Sequence, residues 1–218
     1  MRGRISAGRH VSLFVMGLCV VAIGAALLTL GTEIALADAQ HDLRVDVATI
    51  ARGEVPPPFE TATAGDSPRL ALVEAIRLAQ RAQAERSPEL RKMLIDGAQG
   101  RVDHALASRP RWGEAAVAAA YIQTLRSGRL DRLAVAMLAR SYDDTAFLKD
   151  ATPWRVRAAA AAWSRLPARA RNAAVDEAVW YARWNDATAQ QMMEIARSSP
   201  IYGPFMLRWR AVRDADPH

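Results

Sequence analysis

From Ser67 to Arg210 the apolar positions recur at three- and four-residue steps, the period of amphipathic helices, and no stretch alternates as a strand would. Ser67-Pro68 and Ser87-Pro88 each place a capping hydroxyl before a proline at the first helical position, where its missing N–H costs nothing. They predict two consecutive helices. Along the second, Leu90, Met93, Leu94, Gly97, Ala98, Val102, Ala105 and Leu106 form one apolar stripe that stops before Pro110. A third helix is predicted from about Trp112 to Arg126, with Gly128 as its stop. A fourth carries Leu130, Leu133, Ala134, Met137, Leu138 and Ser141 on one face. So short a connection makes these two an antiparallel pair.

A fifth helix is predicted to enter at Pro153-Trp154 and to close before Pro167, with the alanine run Ala158 to Ala162 between Trp154 and Trp163. At about 100° per residue the two tryptophans fall on opposite sides, which predicts a helix packed on two faces with alanines allowing close approach. A sixth holds Val175, Val179 and Trp180. A seventh follows Asp186 with Met192, Met193 and Ile195, and a short eighth follows Pro200 with Phe205, Leu207 and Trp209. Tyr202-Gly203-Pro204 reads as a turn.

The amino-terminal pattern is different. Leu13 to Leu30 is apolar almost throughout, long enough as a helix to cover nearly all of a hydrocarbon layer of roughly 30 Å. Arg2, Arg4 and Arg9 precede it, and such a flank stays in the cytoplasm. The run predicts either an uncleaved anchor or, because Ala35-Leu36-Ala37 has the small-x-small form of a processing site, a signal segment cut after Ala37. Either way the body is expected in the periplasm, tethered to the bacterial inner membrane in the first case and soluble in the second. The chain divides into an anchor or signal over 1–37, a linker over 38–66 containing Pro56, Pro57 and Pro58, and a helical domain over 67–218.

Composition agrees with helices. Hydrophobic residues make up 51% but aromatics only 6%, a mixture rich in alanine that favours close-packed helices over a β-sandwich. The expected fold is all-α, a transmembrane helix followed by a degenerate stack of antiparallel hairpins. Net charge is +6, too modest to predict a nucleic-acid partner. The one cysteine, Cys19, lies inside the apolar run and excludes an internal disulfide.

The stretch ALASRPRWGEAAVAAAYIQTLRSGRLDRLAVAMLARS, Ala105 to Ser141, resembles a tetratricopeptide repeat in its boundary at Pro110, its Trp112, its Gly128 between helices and its small residues along both. It departs from that family in lacking the Leu-Gly pair after the tryptophan and a closing proline near Thr145. From Ala105 to Trp184, the order of Trp112, a glycine-separated helix pair, Ser141, Pro153-Trp154 and WSRLPARARNAAVDEAVW is similar to small single-pass helical-repeat proteins that accompany exopolysaccharide or O-antigen assembly in α-proteobacteria. That resemblance implies an accessory of polysaccharide polymerisation or export, and it brings no catalytic residues.

Candidate chemistry is sparse. His10, His41, His104 and His218 have no metal-ligand spacing. Asp143-Asp144 reads as a loop pair and Asp176-Glu177 as a solvated helix face, since adjacent positions on a helix diverge by about 100°. No catalytic, cofactor-binding or metal-binding residue is assigned. Trp184, Arg183, Trp112 and Tyr121 are the candidates for a partner or ligand surface, Trp184 because it stands beside Arg183 where the sixth helix ends. The expected function is a non-enzymatic envelope scaffold for a protein partner, with a periplasmic carbohydrate-binding module as the alternative.

Overall fold

A computed structural model describes residues 29–57 and 67–215, and among these every regular element is helical. Residues 29–51 form α1. The others are α2 (Pro68–Ala84), α3 (Pro88–Ser108), α4 (Gly113–Ser127), α5 (Arg132–Asp144), α6 (Thr152–Ala161), α7 (Ala168–Ala182), α8 (Asp186–Arg197) and α9 (Tyr202–Ala215). The all-α expectation holds. Among the described residues no helix is long and apolar enough to cross a membrane. The apolar run Leu13 to Leu30 lies outside them except for its last two positions.

Local sequence explains most boundaries. Ser87 accepts a hydrogen bond from Leu90 N at 3.3 Å and Asp131 accepts one from Ala134 N at 2.8 Å, caps worth about 1 kcal/mol each. Ser67 makes no such bond, so α2 relies on Pro68. Gly128, with φ 70°, ends α4 in the left-handed region that suits glycine. Gly113 serves packing. A Cβ there would overlap the Thr145 side chain and lie 3.1 Å from Ser141 O, so its absence lets the start of α4 rest on the end of α5.

Several expectations are corrected. Residues 38–51, read as linker, are helical: Asp46 is fully buried and receives Nε of both Arg77 and Arg81 at 2.7 Å, which docks α1 on α2. In the pairs Glu33–Arg69, Asp42–Arg77 and Asp46–Arg81 the two positions advance together along the chain, so these helices run parallel. α6 ends at Ala161 and a 3-10 turn over Trp163–Arg165 follows, closed by the Arg165 N–H donating to the Ala162 carbonyl at 2.8 Å. Trp163 is therefore off the helix, and the opposite-face argument does not apply to it. Leu90 and Met93 are exposed whereas Ile95 is buried, so the stripe on α3 begins later than its apolar pattern suggests. Tyr202 to Pro204 open α9 rather than form a turn.

Among the described residues, substantial packing joins only helices one or two places apart in the chain, the strongest being α2 with α3 and α4 with α5. One core lies among α2, α3 and α4 and a second extends from α4 to α9. α4 serves both. Ala115, Ala116, Val117, Ala118, Ala119 and Ala120 are all buried, and consecutive positions at about 100° cover its whole circumference. In α6, Ala158, Ala159 and Ala160 are buried, as is the capping Ala162, and Ala161 is exposed, as expected of a helix enclosed on most sides.

Candidate functional site

The apolar stripe of α7 runs through Ala170, Ala174, Ala178 and Ala182, and Glu177 lies on it with no solvent exposure. Opposite, on α6, Arg155 is equally buried. Its Nη1 donates to Glu177 Oε1 at 3.0 Å, its Nε to Ser141 Oγ at 3.2 Å and its Nη2 to Thr145 O at 2.7 Å. The Tyr142 ring packs 3.8 Å from the guanidinium carbon, which adds a cation–π contact in a dry site. Glu177 Oε1 also accepts Leu148 N at 3.0 Å and Thr152 Oγ1 at 3.3 Å.

Burial raises the Glu177 carboxyl above its ordinary pKa, against the opposing pull of Arg155 and the Leu148 N–H. The Tyr142 phenol is pushed well above its usual range, first by burial and then by the charge of Glu177. Tyr142 Oη and Glu177 Oε2 are buried without a hydrogen bond of normal geometry, yet near enough for each to bear on the other's ionisation.

The network fixes the loop from Thr145 to Ala151. Arg155 holds the Thr145 carbonyl at one end and Glu177 holds the Leu148 amide in the middle. With Leu148 buried, its neighbours Phe147 and Lys149 are turned out. Phe147 stacks on Trp180 with ring centroids 5.1 Å apart and planes at 25°. Trp180 meets Trp184 edge-to-face at 5.3 Å, and Lys149 Nζ lies 4.0 Å over the Trp184 ring. Trp184 is 46% exposed and Phe147 45%, so two large aromatic side chains stand at the surface on a buried support.

The four residues singled out from sequence divide into two groups. Trp184 and Arg183 are adjacent and exposed at the end of α7, with Arg183 as its C-cap. Trp112 and Tyr121 belong to the N-terminal core. Trp112 donates its Nε1 to Glu114 at 2.9 Å under the Arg109 guanidinium, and both residues pack against the α2–α4 cluster. Tyr121 is hydrogen-bonded to Gln83 and meets Trp154 edge-on at 5.5 Å, and burial lifts its phenol to about 12.

Asp143 and Asp144 close α5 rather than a loop, and Glu177, read as part of a solvated face, is the most buried carboxylate of the site. Its signal was present in the stripe. An acidic residue three after Ala174 and one before Ala178 stands on the apolar side of the helix. Among the described residues no group of three or more His, Cys, Asp or Glu side chains could hold a metal ion. No protein-family model, curated protein or solved structure matches the chain.

Proposed function

We propose that the protein is a non-enzymatic scaffold of the cell envelope that presents Trp184, Phe147, Lys149 and Arg183 to a protein partner. In this reading the amino-terminal segment is an uncleaved inner-membrane anchor with its start in the cytoplasm, and the helices form a degenerate tetratricopeptide-like stack of antiparallel hairpins in the periplasm. The observation that carries it is the pair of exposed aromatics that share Trp180, Phe147 on a loop tied to a buried ion pair and Trp184 just past the end of α7. Exposed tryptophan and arginine on a pre-ordered support are what binding hot spots use, because little ordering entropy is lost on contact.

Other features support the rest. Packing between helices only one or two places apart is the pattern of a stacked array. Ala35, Leu36, Ala37 and Asp38 lie within the continuous helix 29–51, whereas a processing peptidase needs an extended substrate, which favours the uncleaved anchor. A role as an accessory of polysaccharide polymerisation or export is supported by the resemblance over Ala105 to Trp184. A carbohydrate-binding module is the second reading, favoured by a groove beside Trp163.

The test uses the full chain in its own membrane. A photo-crosslinker replacing Trp184 is expected to join one defined envelope protein, and Lys149→Glu is expected to abolish the product, while the same group at exposed Leu207 gives none. A reporter after His218 is expected to work in the periplasm. Equal labelling from both positions, or a reporter active only in the cytoplasm, overturns the reading.

A further inference from the structure

α6 and α8 pack side by side and bring their carboxyl-terminal ends together, with α7 returning between them. An open groove of about 500 Å³ lies at that junction, within the range of small-ligand sites. Ala160 and Ile195 line its apolar part. Half-buried Trp163 contributes an aromatic ring, and Arg171 sits 5.8 Å from that ring's centroid. Ser164, Ser198 and Ser199 add hydroxyls, and Arg157, itself exposed, is the one charged residue among those lining it.

The chemistry selects among ligands. Helix carboxyl ends present carbonyl oxygens with partial negative charge, so they accept hydrogen bonds from hydroxyl groups and disfavour dense anions such as phosphate, which prefer helix amino ends. An indole face takes the apolar C–H face of a sugar ring. Arg157 as the one cation of the lining, with no carboxylate there, suits one carboxylate at a time.

We propose that this groove binds a glycan segment bearing a carboxylate on some of its sugars, with a ring on Trp163, its hydroxyls on Ser164, Ser198 and Ser199, and its carboxylate on Arg157. The inference deepens the carbohydrate reading and is independent of the Trp184 surface. Binding can be measured by calorimetry on the detergent-solubilised full chain with a hyaluronan hexasaccharide, its carboxyl-reduced counterpart, which keeps the hydroxyls, and polyphosphate.

The acidic oligosaccharide is expected to bind and the reduced one to bind about tenfold more weakly, the share of one charge-assisted pair. Arg157→Gln is expected to erase that difference. Ala161→Glu, at an exposed position in the groove, is expected to abolish binding with the helical circular dichroism unchanged, and Trp184→Ala to leave it intact. The proposal is overturned by absence of binding to the wild type, by equal affinity for both oligosaccharides, by tighter binding of polyphosphate, or by loss in Trp184→Ala with retention in Arg157→Gln. The last result would move the glycan to the other surface, whereas a crosslinked partner at Trp184 without glycan binding would leave the scaffold standing and remove only this site.

Discussion

Arg155 and Glu177 form an ion pair at 3.0 Å with both side chains entirely removed from solvent, and the same two groups hold the Thr145–Ala151 loop. Removing one partner leaves an uncompensated buried charge, so Arg155→Met is expected to cost about 3–5 kcal/mol in denaturant unfolding. The double variant Arg155→Met, Glu177→Leu is expected to recover most of that loss, because an apolar pair of similar volume replaces the charges. Its loop, however, lacks both anchors. Tryptophan emission should therefore stay altered in the double variant while stability returns, and recovery of both would show that the pair does not position Phe147 and Lys149.

The pH dependence follows from the raised pKa of Glu177. The folded protein holds this proton more tightly than the unfolded chain, so the contribution is fully present below the unfolded value of about 4.5 and is lost as pH rises through the folded value. Melting temperature is expected to decline over that window in the wild type more than in Glu177→Gln. Parallel curves for the two proteins would remove Glu177 as the source.

Asp46 has the opposite sign. Burial alone would raise its carboxyl, but hydrogen bonds from Arg81 and Arg77 more than offset that and hold it below the usual value. Its contribution is present above about 3.9 and is lost as pH falls through the lower folded value. Asp46→Ala is expected to undock α1, leaving Arg77 and Arg81 without this shared acceptor, and to speed proteolysis within residues 39–51. Unchanged cleavage there would mean that α1 is held without Asp46, by its apolar contacts and by pairs such as Asp42–Arg77.

Leucine substitutions along the alanine run sort by burial. Ala158, Ala159, Ala160 and Ala162 are buried, so each change is expected to cost about 1–3 kcal/mol by overpacking, least at Ala160, which borders the groove. Ala161→Leu faces solvent and is expected to leave the melting temperature nearly unchanged, because the two residues have similar helix propensity. A uniform loss at all five positions, or none, would contradict the enclosure of α6 on all but one side.

The eight helices from residue 67 onward and most of their starts were legible in the chain because their causes are local. A proline after Ser87, a glycine at 128 and the stripe through Ala98, Val102 and Ala105 act within a few residues of themselves. Trp184 was legible as exposed for the same reason, standing with Arg183 and Asn185 past the last apolar position of its helix. The tertiary structure decided what depends on partners distant in the chain. Whether a carboxylate on a helix meets water or a guanidinium cannot be read from its own segment, so Glu177 looked solvated until Arg155, 22 positions away, was placed against it. Likewise residues 38–51 read as linker together with Pro56, Pro57 and Pro58 that follow them, and only the docking of Asp46 against Arg77 and Arg81 makes them a packed helix. Phe147, Lys149, Trp180 and Trp184 come from two separate stretches, and they meet because the buried pair bends one loop over the end of another helix.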